Sequence, residues 1–302
     1  MNSHDTDSKQ GPRVCILGTG TMGSAMAQRL LATGLAVDVW SRHPDATAPS
    51  VEAGATAFDE PGAAVAHADV VLTMFPSMDA TWEVLFDANT IDSMRAEATW
   101  AQMATIGVHA TERLDAASGS RRPDIRFIDA PVSGSRAPAE SGQLLILASG
   151  EAPTTGELQA VFDRLGRSTL WVGPVGNGSR LKLVLNTWLA FQAEGAAESM
   201  ALADDLDVDI DHLRSALRDN PIASPFAMAK LEKMAAEDYR SDFALAMAVK
   251  DLDLVGSVAS PDTAPIAEAI ADRWRGLVQD GAGDLDISAA RRGLGGGATS
   301  SK

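Results

Sequence analysis

Apolar positions change rhythm part-way along this chain. Up to Val172, short apolar runs alternate with stretches patterned on a helical period. The runs Arg13–Leu17, Ala36–Trp40, Val70–Met74, Thr99–Met103, Ile125–Asp129, Leu144–Ala148 and Thr169–Val172 predict strands. Met22–Leu31 and Ala80–Phe86 predict helices between the first of them. This alternation predicts an α/β fold with a mostly parallel, doubly wound sheet, its right-handed crossovers placing helices on both faces. Beyond Gly173 the strand-like runs cease. A proline-free helix is predicted from about Ser179 to Asp205. Further helices are predicted near Asp211–Leu217, Ser224–Ala236, Phe243–Val258, Ala264–Asp280 and Ile287–Arg292. Asn220-Pro221, Ser260-Pro261 and Gly281-Ala282-Gly283 punctuate them. The expected organisation is a disordered lead-in at 1–11, an α/β domain at 12–173, an all-helical domain at 174–293 and a disordered Gly/Ser-rich tail at 294–302.

The first candidate chemistry lies where the first predicted strand meets the first helix. Val14–Leu17 runs directly into Gly18-Thr19-Gly20-Thr21-Met22-Gly23. In that context Gly18 permits a tight turn, Gly20 lets a pyrophosphate approach the backbone and Gly23 allows helix and strand to pack closely. The amides of Thr21, Met22 and Gly23 open the helix and face the anion with its positive dipole end. The second strand should end at the adenosine ribose. An NAD site places an acid there; this chain has Ser41-Arg42-His43, suited to a 2′-phosphate, which predicts NADP. A solvated strand-end arginine is the plainer reading of Arg42.

Two later segments carry polar residues in apolar settings. Asp129-Ala130-Pro131-Val132-Ser133-Gly134-Ser135 follows a strand. Ser133 and the backbone at Gly134 could hold a carboxylate, or simply brace a turn. Lys182 and Asn186 stand four residues apart on the long helix, so they share a face, among Leu181, Leu183, Val184, Leu185 and Trp188. A buried lysine is costly unless paired or used, although lysines commonly pack their stems and keep the head in water.

Charge and composition narrow the field. The chain has 302 residues, enough for two domains, and a formal net charge of −16, which disfavours nucleic acid and anionic membrane surfaces. The single cysteine, Cys15, sits in an apolar run and reads as a small buried hydrophobe. No apolar stretch is long enough for a membrane span and no apolar signal core opens the chain, so a cytoplasmic location is expected. His43, His67, His109 and His212 lack metal-ligand spacing, and no metal is expected. The acidic run Asp204–Asp211 lacks the glycine and terminal glutamate of a calcium loop.

Four blocks, GTGTMG at 18–23, DAPVSGS at 129–135, GNGSRLKLVLN at 176–186 and KDLDL at 250–254, follow one another in this order. With them the chain resembles the β-hydroxyacid dehydrogenase family, the 3-hydroxyisobutyrate dehydrogenase type in particular, from Val14 to about Gly293. The resemblance implies a Rossmann-type N-terminal domain and a helical C-terminal domain like that of 6-phosphogluconate dehydrogenase, used for substrate binding and dimerisation. It matches Lys182 to a catalytic lysine and Asn186 to the asparagine beside it. Ser133 and Gly134 match a substrate-carboxylate loop, and Lys250 matches a lysine that closes over cofactor and substrate. Met74, Phe75 and Pro76 match a loop near the cofactor, and Thr105 a threonine near the nicotinamide ribose. Ser135, Pro138 and Leu185 depart from the family pattern, the first two in the loop that would grip the substrate.

The reaction this implies is NADP-dependent hydride transfer with a small 3-hydroxy acid or semialdehyde carboxylate, Lys182 acting as general acid and base, in a homodimer or homotetramer. To accept a proton, Lys182 needs its usual pKa of about 10.4 lowered by burial and a neighbouring cation such as Lys250. The alternatives are an imine reductase, in which aspartate or tyrosine generally stands where this chain has Lys182, and a catalytically idle NADP-binding sensor.

Overall fold

The computed structural model describes residues 11–152, 156–260 and 262–295. The chain divides into two compact units that part between Lys182 and Leu183.

The first unit is built on a six-stranded sheet of β1 (Val14–Leu17), β2 (Val37–Trp40), β3 (Thr56–Ala57), β4 (Val70–Thr73), β5 (Thr99–Gln102) and β6 (Arg126–Asp129). Its order is β3-β2-β1-β4-β5-β6 and every pair is parallel. Four of its strands, β1, β2, β4 and β5, are buried along their whole length, as expected when helices cover both faces. The two-residue alternation is visible in the cores. Val14, Ile16 and Leu72 join one cluster, while Cys15, Leu17, Val71 and Trp100 join the other. Helices α1 (Thr21–Ala32), α2 (Ala48–Glu52), α3 (Pro61–Val65), α4 (Met78–Trp82) and α5 (Val108–Arg121) connect the strands. The stretch expected as one helix at Ala80–Phe86 is α4 continuing into a wider π-turn at Glu83–Asp87. Asp38 is buried within β2, where Arg13 donates to both of its carboxylate oxygens.

The last two predicted strands do not extend this sheet. They form a second one, with β7 (Val132–Ser133) antiparallel to β8 (Leu144–Ala148), and β8 parallel to β9 (Gly166–Trp171). Helix α6 (Arg136–Ser141) links β7 to β8, and α7 (Glu157–Leu165) links β8 to β9. The chain leaves β6 at Asp129, which pairs in antiparallel fashion with Ser149. Pro131, which has no N–H to donate, follows at the turn.

Helix α8 (Asn177–Asp205) has its first turns in the first unit and the rest in the second. The units part later than the expected Gly173–Gly178 junction because the start of α8 is bonded to β6 and to Ser149 beyond β8. In the second unit α9 (Ile210–Leu217), α10 (Pro225–Ala235), α11 (Leu245–Gly256) and α12 (Pro265–Leu277) follow, close to the predicted spans. Ile287–Arg291 is a 3₁₀ helix begun by Asp286, which accepts from the Ser288 amide. Trp274, Leu245 and Ile287 are fully buried in a core that also takes Ala190, Ala193 and Ala197 from one face of α8. Leu294, placed by the sequence in the tail, packs against that core. The remaining disorder expectations, at 1–10 and 296–302, lie outside the described residues.

Candidate active site

Because the sheet is parallel, the C-terminal ends of β1, β2, β4 and β5 lie along one edge. The strand order reverses between β1 and β4, the position at which open α/β sheets bind ligands. Gly18 turns the chain with φ +97°, and a Cβ there would lie 2.9 Å from the Met74 carbonyl oxygen. The glycine loop and the Met74-Phe75-Pro76 loop are thereby brought together. A Cβ at Gly23 would stand 1.9 Å from the Gly18 carbonyl oxygen, so only glycine lets α1 start there. A Cβ at Gly20 would meet no atom within 4 Å, leaving the outer side of the loop open. Gly20 supplies no side chain to cap α1, whose first intrahelical bond runs from the Ser24 N–H to the Gly20 carbonyl. The amides of Thr21, Met22 and Gly23 lie outside that ladder, as a dinucleotide phosphate requires. The residues present thus fit a dinucleotide.

At the end of β2, Ser41 is half-buried and Arg42 exposed. Arg42 stands 3.8 Å from Glu83 on the surface, a contact too long and too solvated to fix the guanidinium. Beyond β5, Thr105 is half-buried in the loop leading to α5. That loop is braced by the Gln102 side chain, which donates to the Ala104 carbonyl and accepts from the Thr73 hydroxyl.

Ser133 ends β7 opposite Leu145, half-buried, and Gly134 follows with φ +138°. A Cβ on Gly134 would fall 2.7 Å from Leu144 and 3.1 Å from Pro138. Pro138, one of the departures from the family pattern, therefore packs against this turn, while Ser135 precedes α6 without a side-chain capping bond.

Asp129, quoted from the sequence only as the head of its block, proves to be the anchor of α8. Its Oδ2 accepts from the Ser179 N–H at 2.9 Å and from the Ser149 hydroxyl at 2.9 Å, and its Oδ1 accepts from the Ser179 hydroxyl at 2.8 Å. The Ser149 oxygen in turn accepts from the Gly178 N–H at 3.0 Å. Burial pushes the Asp129 carboxyl above its usual range, and the hydrogen bonds from Ser179 and Ser149 only partly oppose this. Lys182, half-buried, follows Ser179 by one turn.

In the second unit Asn186 is buried on α8 and donates through Nδ2 to Asp251 Oδ2. Lys250 Nζ lies 2.9 Å from Asp251 Oδ1. Asp251 therefore links two of the expected site residues, a role the sequence reading did not give it. The signal was its place between Lys250 and Leu252 on a helix whose other inward positions are apolar. Among the described residues no group of three His, Cys, Asp or Glu is placed to hold a metal ion.

Residues 13–173 match the model of the NAD-binding domain of 6-phosphogluconate dehydrogenase. Residues 176–294 match the model for the NAD-binding domain of NADP-dependent 3-hydroxyisobutyrate dehydrogenase. The chain belongs to the β-hydroxyacid dehydrogenase family. Among its relatives in that family is glyoxylate/succinic semialdehyde reductase 1 of Arabidopsis thaliana, 30% identical over 91% of this chain and 96% of the reductase. The NAD-dependent L-serine dehydrogenase of Pseudomonas aeruginosa is 28% identical over 93% and 97%. The 3-hydroxyisobutyrate dehydrogenase of Mycobacterium tuberculosis, solved with L-serine, superposes with a TM-score of 0.83 at 26% identity, covering 93% of this chain and 98% of that one. The matched domains make a nicotinamide dinucleotide the cofactor of this family member.

Proposed function

We propose that the protein is an NADP-dependent oxidoreductase acting between a small 3-hydroxy acid and the corresponding semialdehyde-type carboxylate, with Lys182 carrying the proton. The observation that bears most on this reading is the setting of Lys182: one turn past an anchored helix start, and one turn before Asn186 on the same helix. A bound nicotinamide supplies the hydride. In the reducing direction the Lys182 ammonium stabilises the negative charge that grows on the carbonyl oxygen and gives it a proton. In the oxidising direction the neutral amine takes the alcohol proton. Asn186, held by Asp251, orients the lysine or the substrate oxygen, and Lys250 shares that carboxylate. Ser133 and the backbone at Gly134 receive the substrate carboxylate.

The NADP preference rests on Arg42 and Ser41, with Arg42 only loosely engaged by Glu83. Arg42→Ala should raise KM for NADPH about tenfold, the loss of one charge-assisted contact, and leave KM for NADH nearly unchanged. Equal effects on both remove the preference. Val184, Trp188 and Leu202 on α8, and Leu206 just past its end, are between 58% and 64% exposed, a surface suited to a homodimer or homotetramer, which light scattering tests. No helix among the described residues is long and apolar enough to cross a membrane.

The decisive experiment follows NADPH absorbance with glyoxylate, succinic semialdehyde, methylmalonate semialdehyde and a cyclic imine. Turnover of a semialdehyde, with a loss of about 10²–10⁴-fold in Lys182→Ala and unchanged NADPH binding, supports the reading. Turnover of the imine alone makes the protein an imine reductase. Cofactor binding without any turnover makes it a sensor.

A further inference from the structure

We propose that Asp129 is a positioning residue for the reaction: its buried carboxylate fixes the first turn of α8 and thereby fixes where Lys182 stands. The inference rests on Lys182 being the proton carrier. Three observations within the first unit carry it.

The first is the bonding of the carboxylate. It meets the backbone N–H and the hydroxyl of Ser179 through separate oxygens, so it resists both sliding and rotation of the turn. The Ser179 oxygen also lies 3.0 Å from the Thr111 hydroxyl of α5, which ties the turn to a second element. The second is the absence of slack beneath the turn. A Cβ at Gly178 would fall 2.3 Å from the Leu147 carbonyl oxygen of β8 and 3.1 Å from Asp129 Oδ2. Gly176 enters the helix with φ +91°, a conformation that L side chains rarely adopt. The helix therefore starts pressed against the second sheet. The third is the bracing of Asp129 itself. Its N–H and carbonyl pair with the carbonyl and N–H of Ser149 at 3.0 and 2.7 Å, joining the ends of β6 and β8.

A simple helix cap could be made by any exposed serine or asparagine at little cost. A carboxylate buried for the purpose is an expensive cap, and burial raises its pKa. What it adds is precision. Ser179 and Lys182 lie three residues apart on one helix face, so a shift of the first turn is passed along the helix to the lysine. A misplacement of about 1 Å at a reacting group costs about 10²-fold in rate.

The test is a cycle of Asp129→Asn with Lys182→Ala in the full-length protein, read by NADPH oxidation with the best semialdehyde. Asparagine keeps the volume but turns an NH₂ toward a donor. Asp129→Asn alone should lower kcat about 10–100-fold, with KM for NADPH and aldehyde within about twofold of wild type. Added to Lys182→Ala, it should lower the residual rate less than about twofold, because the residue it positions is gone. Hydrogen exchange gives a readout independent of turnover: amides 177–182 should exchange faster in Asp129→Asn while those of β1 and β4 do not. Should Asp129→Asn fail to fold, Ser179→Ala removes one of the bonds and should reproduce the kcat effect in weaker form, about 5-fold, with KM held. An equal fold-loss in both backgrounds, or an unchanged kcat in Asp129→Asn, overturns the positioning role and leaves Lys182 in place. Full turnover in Lys182→Ala overturns the proton-carrier reading, and this inference with it.

Discussion

Asp129 in the first unit and Asp286 in the second are both fully buried, and the carboxylate of each holds the start of a helical segment. They are neutralised differently. Asp286 accepts from the buried Lys230 ammonium at 2.8 and 3.0 Å, and from the amides of Asp242, Phe243 and Ser288. Burial pushes its carboxyl up, but the Lys230 bond and the amides outweigh burial and hold it below the usual range. Asp129 is met by hydroxyls and amides, and burial prevails. The contrast separates two uses of one residue type. An acid matched to a cation staples a helical core. An acid left to hydrogen bonds is a poorer staple, and it stands at the foot of the helix that carries Lys182.

Breaking the staple should give the larger stability loss. Lys230→Met keeps the side-chain volume and strands the Asp286 carboxylate. It should cost about 3–5 kcal/mol, the usual penalty for removing one partner of a buried pair. In thermal denaturation the second unit should melt roughly 10–20 °C lower. Asp129→Asn should cost less, about 1–3 kcal/mol, because it trades one buried hydrogen-bonding group for another. Equal losses in the two variants would abolish the distinction drawn between them.

Acid sharpens the contrast by giving the two residues opposite signs. The folded pKa of Asp286 lies below the unfolded carboxylate value of about 3.9. Its contribution is therefore present above that value and lost as pH falls through the folded pKa. The folded pKa of Asp129 is raised, so the folded state takes up its proton first. Its unfavourable contribution is largest above the folded pKa and is relieved as pH falls through it. Urea titrations at stepped pH should show Asp286→Asn losing stability less steeply than wild type on acidification, and Asp129→Asn losing it more steeply. Changes of slope from wild type that carry the same sign in both variants would contradict the burial account.

The sequence made local features legible where one residue type has one job. Gly18, Gly20 and Gly23 stand where the strand–turn–helix spacing requires, and β8 matches its predicted span residue for residue. The helices of the second unit were readable because their apolar period continues through whole turns. The second sheet was not readable: an apolar run such as Leu144–Ala148 is the same string whichever sheet takes it, and only pairing decides. Short connecting elements such as α2 and β3 escaped because a few residues carry too little periodicity. Lys182 and Asn186 stand out in the sequence by their helical spacing, but Asp129 and Asp251 bond to partners fifty or more residues away in the chain. No local pattern records such a contact.

The smallest effect belongs to Ser149. Its hydroxyl donates to Asp129 and accepts from the Gly178 N–H, so Ser149→Ala leaves an acceptor and a donor each short of one partner. The expected cost is about 1 kcal/mol. Its value lies in combination. Ser149→Ala and Asp129→Asn share one network and should combine non-additively, with a coupling of about 0.5–3 kcal/mol. Ser149→Ala and Lys230→Met touch no common partner, and their costs should add within about 0.5 kcal/mol. If the first pair were additive, the Ser149 bridge would be incidental to the anchor, and the first turn of α8 would be held by Asp129 and Ser179 alone.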